Sequence, residues 1–509
     1  MIRAHLTIDA SFTVGPINRR LFGSMVEHLG RCVYDGIYEP DHSTADKLGY
    51  REDVIALVRE LGVTTIRYPG GNFVSGYRWE DGVGPREERP RRLNVAWHST
   101  ETNEVGLDEF AAWLRTVDSE LMYTVNLGTR GVQEALDVLE YANTRSGTQL
   151  SDLRIANGAP EPHNIRMWCL GNEMDGPWQL GHGTAEEYAS LAARTARAMR
   201  QIDPDLELVV CGSSSAQMPT FGSWEHTVLE ATYDDVDYIS CHAYYEPIDG
   251  DYASFLASAV NMDRFIEKIA ATADHVKAER GSEKTMGISF DEWGVWYQSR
   301  YNDVEKITDV DTWPIAPRLL EDTYSVMDAV VFGNLLISLI RHADRVTSAS
   351  LAQLVNVIAP IVTEPAGPAW RQTTFYPFAL TSRLARGEAL ELNLDCPTHS
   401  TAEHGDVPLI DAAATRDRDT GDAAVFLVNR DERSPTCIEI DVRMLGQVAI
   451  HSAQTLSDDD PHATNSLHHQ DRVGLATNPT ATLRDGTATI VLPPVSWTVL
   501  TLTRSEPAK

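Results

Sequence analysis

The sequence predicts an α/β protein: a (β/α)8 TIM barrel with a C-terminal antiparallel β-sandwich domain that the N-terminal strand joins. Three observations predict it. Short β-rich runs ending in polar residues alternate with amphipathic stretches, as parallel strands and crossover helices do. Eight such runs can be counted, the number a closed barrel requires. After about residue 387 the helical patterns stop, and short alternating runs separated by Asp- and Gly-rich turns take over.

The eight runs are Leu21–Glu27, Val63–Tyr68, Leu121–Leu127, Ile165–Leu170, Glu207–Cys211, Val236–Cys241, Met286–Phe290 and Ser348–Val355. The helices between them have recognisable ends. Arg51–Leu61 places Val54, Leu57, Val58 and Leu61 on one face, and Gly62 can close it. Thr184-Ala-Glu-Glu187 reads as a capping box opening a helix that stops near Asp203-Pro204. Further helices are expected at Leu107–Glu120, Val132–Asn143, Phe255–Arg280, Val326–Arg341 and Thr374–Arg386. Beyond them, Ala423–Asn429, Cys437–Val442, Ala488–Pro493 and Thr498–Leu502 read as sandwich strands. The stretch Ile2–Val14 is also strand-like, and we expect it to join them. The expected division is an N-terminal strand segment at 1–18, a catalytic barrel at 19–387 and a sandwich at 388–509.

Length and composition suit this plan. A barrel takes about 250 residues, more with insertions, and 509 leave room for a second domain. A hydrophobic content of 42% with 23% charged residues is that of a globular chain. The formal net charge of −31 argues against nucleic acid and anionic membranes, which need a basic face. No apolar run has the length of a membrane span, and the first residues lack a signal-peptide core, so a cytoplasmic protein is expected. The 6 Cys are scattered without metal-like spacing, and free thiols are expected. No motif calls for a metal or cofactor.

In such a barrel the active site lies at the C-terminal ends of the strands. There the sequence places Glu27-His28, Tyr68-Pro-Gly-Gly-Asn72, Asn126, Asn172-Glu173, His242 with Tyr244 and Tyr245, Asp291-Glu292 with Trp296, and Gln353 with Asn356. Amides and carboxylates can hydrogen-bond hydroxyl groups, and aromatic faces can stack on the C–H face of a sugar. Any one of these could instead serve the fold, because loops after strands are solvated. The pair Glu173 and Glu292 stands out. Each follows a strand, each has Trp close behind, and two carboxyls on different strands are what acid–base or nucleophilic work on an acetal needs.

Two motifs go further. Trp168-Cys-Leu-Gly-Asn-Glu-Met-Asp-Gly-Pro-Trp-Gln179 resembles the acid/base region of the α-L-arabinofuranosidases of glycoside hydrolase family fifty-one. Asp291-Glu-Trp-Gly-Val-Trp296 resembles their nucleophile region. Tyr68–Phe73 and Ser99–Glu104 look like two more family segments. The resemblance implies Glu173 as general acid/base and Glu292 as nucleophile. It implies that Glu27, Asn72, Asn172 and Gln353 bind the sugar hydroxyls. Tyr244 would hold the nucleophile, His242 would lie near the acid/base, and Trp97 and Trp296 would line the pocket. Gly294 departs from the family, which often has Asn there, and this puts a local hydrogen bond and the leaving-group preference in question. A homo-hexamer is implied as well.

The expected reaction is retaining, exo-acting hydrolysis of terminal α-L-arabinofuranosyl groups from arabino- or arabinoxylo-oligosaccharides. Glu292 would be ionised and Glu173 protonated, since neighbouring carboxyls raise one another's proton affinity. The alternatives are a related retaining glycosidase such as a β-xylosidase or endoglucanase, a non-catalytic sugar-binding barrel, and a Schiff-base lyase. The binding protein would have lost one carboxylate, and the lyase needs a strand-end Lys that no predicted strand supplies.

Overall fold

The computed structural model describes residues 2–504. Eight parallel strands close a barrel: Gly23–Met25, Thr65–Tyr68, Glu120–Val125, Met167–Leu170, Glu207–Val210, Tyr238–Tyr245, Gly287–Val295 and Val346–Leu351, strands one to eight in order. Each pairs in parallel with its neighbours, and strand eight returns to strand one. Met122, Met167, Cys169 and Val209 pack together, with the Ser348 hydroxyl against the Met167 sulfur.

Strands six and seven run longer than the sequence indicates. Their pairing continues through Tyr245 and Val295, past a register shift between Ser289 and Glu292. Ser289 faces Ser240 and Glu292 faces His242, so seven gains one residue on six. That is a β-bulge, which turns a side chain without ending the ladder.

The outer helices follow from their patterning. Glu52–Leu61 ends at Gly62, whose φ of 77° is the left-handed C-cap. In Ala185–Ile202 the Thr184 side chain accepts from Glu187 N–H, and the Glu187 carboxylate accepts from Thr184 N–H, which satisfies two end groups at once. The stretch expected as one helix from Phe255 is two, Tyr252–Leu256 and Ala259–Arg280. Among the described residues, two α-helices longer than one turn escaped the sequence reading, Gln149–Ala156 and Ser223–Thr232.

The C-terminal strands form one ten-stranded sheet around its own apolar core, which includes Leu6, Val425, Ile438, Ile490 and Leu500. The N-terminal strand Ile2–Pro16 lies inside this sheet, antiparallel to Glu388–Asp395 but parallel to Thr436–Asp441. The expected sandwich was antiparallel throughout. Hairpin connections impose antiparallel order, but a strand from the chain end has no such tie and can pair either way.

The helix Val326–Arg341 joins the two layers and is buried along almost its whole length. Asn334 donates to Asp411 at 2.6 Å and accepts from Arg430 at 2.8 Å, so the sandwich grips it by polar contacts. Gly333 sits under the Trp497 indole, and any side chain there would overlap the ring. Gly333→Val should therefore cost stability by overpacking, on the order of 1–3 kcal/mol. Calorimetry should show a lower melting temperature, although Val is the better helix former.

Candidate active site

The strand ends gather the predicted residues into one connected set. Glu173 lies three positions beyond strand four, with φ of 45°, a left-handed backbone that non-glycine residues rarely adopt. Its Oε1 is 2.9 Å from His242 Nδ1, and its Oε2 accepts from Trp178 Nε1 at 2.7 Å. Glu292 stands on strand seven, where Oε1 accepts from Arg67 Nη1 at 2.8 Å and Oε2 from the Tyr244 hydroxyl at 2.7 Å. Glu173, His242 and Glu292 each bring one polar atom within 4.8 Å of the others.

Glu27 closes the opposite wall. Its Oε1 accepts from Phe73 N–H at 2.8 Å and Trp97 Nε1 at 2.7 Å, and its Oε2 accepts from Gln353 Nε2 at 3.2 Å. The turn Gly70-Gly71 passes directly beneath. Gly70 has φ of 96°, and a Cβ there would lie 2.5 Å from that of Glu27. A Cβ on Gly71 would lie 3.0 Å from Glu27 Oε2 and 3.3 Å from Glu292 Oε1, so this backbone spans two of the carboxylates. Asn172 accepts from Arg67 Nη2 at 2.7 Å and donates to Asn72 at 3.3 Å. Trp296 meets the Tyr244 ring edge-on at 5.2 Å, and Tyr301 bridges Trp296 to Trp97.

Two residues central to this set had no role in the sequence reading: Arg67, which was not singled out, and Asp291, which was placed at its strand end and no more. Asp291 takes His242 Nε2 at 3.0 Å and lies 3.5 Å from Arg67 Nε. The signal for Arg67 was a cation in the middle of the strand run Val63–Tyr68. For Asp291 no alternation rule would help, since neighbours on a regular strand face opposite ways. The bulge lets Asp291 and Glu292 both reach His242.

Other strand-end residues serve the fold. His28 is held between Glu101 and Tyr68. Asn126 caps its loop by accepting from Gly128 and Thr129. Asn356 ties Arg31 to Thr363. Tyr245 reaches Asn261. A Cβ on Gly294 would meet the Ala352 carbonyl, Leu351 and Phe332, which are core atoms, so the departure at Gly294 points away from the cleft.

The electrostatics follow from burial and partners. Burial alone would lower His242, but Glu292, Asp291 and Glu173 overrule it and push it up to about 10. A protonated imidazole has no lone pair for a metal, so this trio reads as an ion-pair network and not a metal centre. Burial pushes Glu27 up to about 7, with the Glu292 charge adding to it and the Phe73 and Trp97 donors opposing it. Burial raises Glu292 too; His242, Arg67 and Tyr244 pull against it, and the Glu173 charge adds to it. Asp291 would rise by burial, but Arg67 and His242 hold it below the usual carboxylate range.

The comparisons agree with one another. The model of the α-L-arabinofuranosidase 1 domain matches residues 57–265, and that of the α-L-arabinofuranosidase C-terminal domain matches 291–496. An intracellular exo-α-(1→5)-L-arabinofuranosidase of Streptomyces lividans is 59% identical over 98% of this chain and 75% of its own length. An exo-α-(1→6)-L-arabinofuranosidase of Bifidobacterium longum is also 59% identical, over 98% of this chain and 97% of its own. The solved structure of a family 51 α-L-arabinofuranosidase from Bifidobacterium longum superposes with a TM-score of 0.94 at 49% identity, covering 98% of this chain and 99% of that one.

The His242 value carries a stability prediction. Protonated up to about pH 10 in the fold, against 6.5 for the free side chain, it stabilises fully below pH 6.5. That contribution is lost as pH rises through the window to about 10. The melting temperature should fall across this window, and His242→Asn should flatten the fall; calorimetry at stepped pH measures both.

Proposed function

The chain belongs to the α-L-arabinofuranosidases of glycoside hydrolase family 51, exo-acting glycoside hydrolases, and we propose that it works by double displacement with retention at the anomeric carbon. One observation carries this. A carboxyl oxygen of Glu173 lies within 4.8 Å of one of Glu292. Retaining glycosidases keep their two carboxyls about 5–5.5 Å apart, whereas inverting enzymes need about 6.5–9.5 Å to admit a water between carboxylate and sugar.

In the first step Glu292 attacks the anomeric carbon while Glu173 gives its proton to the leaving oxygen. The C–O bond to the leaving group breaks as the ester to Glu292 forms. Arg67 and Tyr244 hold the two oxygens of Glu292 and favour its charged form, against the burial that opposes it. In the second step Glu173 takes a proton from water, the water oxygen attacks the same carbon, and Glu292 departs as a carboxylate. Esterification removes one negative charge beside Glu173, which favours its base form at that moment. Trp178 and His242 fix the carboxyl of Glu173 from both sides.

Glu27, Asn72, Asn172 and Gln353 bind the furanose hydroxyls in this reading, and Trp97, Tyr244 and Trp296 wall the pocket. The substrate is an arabino- or arabinoxylo-oligosaccharide inside the cell, as the word intracellular in several relatives' names supports. Two relatives of equal identity bear different linkages in their names, so overall similarity does not set that preference. A cavity of about 180 Å³ adjoins Asn72, between Phe73, Tyr77, Asn94 and Leu180. In this reading the departing part of the substrate occupies that space, whose Leu180 wall belongs to the loop that follows Glu173.

Glu173→Ala should lower turnover of arabino-oligosaccharides by about 10²–10⁴-fold. Azide should restore turnover of an activated aryl α-L-arabinofuranoside, and full activity without azide would sink the assignment. Proton NMR during the first turnovers should show the α-anomer of arabinofuranose; the β-anomer would overturn retention. Gly71→Ala wedges a methyl between Glu27 and Glu292 and should cut kcat/KM on the order of 100-fold in steady-state assays, because small misplacements near reacting groups cost that much.

A further inference from the structure

We propose that the outer face of the barrel carries a transition-metal site of the zinc class, formed by His226, His275 and Glu279. The site lies on two helices remote in sequence. His226 stands on Ser223–Thr232 after strand five, and His275 and Glu279 stand one turn apart on Ala259–Arg280 after strand six. Positions four apart on a helix share a face. These two helices pack together, with Phe221 meeting Phe265 edge-on at 5.1 Å beside the contact.

The donor atoms are grouped as a shared cation would require. Glu279 offers Oε2 to His226 Nε2 at 3.1 Å and Oε1 to His275 Nε2 at 3.4 Å. One donor atom from each residue lies within 4.8 Å of the other two. Zinc–ligand bonds of about 2.0–2.1 Å in a tetrahedron put neighbouring donors roughly 3.3 Å apart. Each imidazole already stands near that distance from one oxygen of Glu279, and rotation of the half-exposed side chains brings all three donors to one ion. The three residues supply two imidazoles and one carboxylate, with solvent for the fourth position. That donor set suits zinc, nickel or copper over calcium or magnesium, which prefer oxygen ligands.

The surroundings admit a cation. All three side chains reach solvent, and the protein's net charge of −31 draws cations to its surface. Arg280, next to Glu279 in sequence, is engaged elsewhere, donating to the Glu230 carbonyl and to Asp234. Neither imidazole has a role in the glycosidase site. Bound metal would clip the two helices together, so its affinity would add to the stability of this side of the barrel.

The test uses the full chain, stripped with EDTA and dialysed. Titration with Zn²⁺ by calorimetry should show one site per chain, and Co²⁺ should give the intense visible absorption of a tetrahedral centre. His275→Ala and Glu279→Gln should each weaken binding at least tenfold and abolish the rise in melting temperature that Zn²⁺ gives the parent protein. Both variants should keep parental arabinofuranosidase turnover and metal-free melting, which shows that they fold. Absence of Zn²⁺ binding up to millimolar concentration would overturn the proposal. So would unchanged affinity in both variants, which would place any bound metal elsewhere.

Discussion

One buried guanidinium organises the mouth of the barrel. Arg67 rises from strand two inside the ring and is almost wholly shielded from water. A charge in that position is tolerated only if partners surround it. It finds Glu292 and Asn172 at hydrogen-bond distance and Asp291 at 3.5 Å. Strands two, four and seven are thereby tied at one point. Glu292 is held on the side where Gly71 and Glu27 approach, and Asn172 is held immediately before Glu173. The requirement to neutralise one cation thus fixes the spacing of the groups to which the proposed chemistry is assigned.

The second constraint is the bulge in strand seven. Without it, Asp291 and Glu292 would point to opposite faces of the wall. With it, both reach the imidazole of His242, Asp291 at Nε2 and Glu292 at Nδ1, the nitrogen that Glu173 also faces. Three carboxylates around one imidazole keep it charged, and the charged imidazole offsets the repulsion among the carboxylates. The network is buried and closely hydrogen-bonded, which makes it stiff. A stiff frame suits the proposed double displacement, in which Glu173 turns from acid to base while Glu292 stays in place to attack and then depart.

Much of this was legible in the chain. All eight barrel strands were located, because apolar runs with polar ends and regular intervening helices leave a strong pattern. The residues named from the motifs lie together at the strand ends, with carboxyl oxygens of Glu173 and Glu292 within 4.8 Å of each other. The misses have physical causes. The helix Gln149–Ala156 is short and only weakly amphipathic, with Ser151 and Arg154 its buried residues, so periodicity could not reveal it. His28, Asn126 and Asn356 stand at strand ends like the site residues do, yet each is consumed by a neighbour. Position along the chain cannot distinguish a side chain that faces the cleft from one that pins a loop.

By itself the sequence determined the barrel, the sandwich, the family and the two carboxylates with their different neighbours, because periodicity and motifs are local properties. The tertiary structure decided what depends on distance and direction. It brought Arg67 and Asp291 into the site, paired the N-terminal strand in parallel with Thr436–Asp441, and turned Gly294 toward the core. It also brought His226 to His275 and Glu279 across a helix contact. Each of these rests on residues far apart in sequence meeting through packing, or on a bulge that changes which way a side chain points.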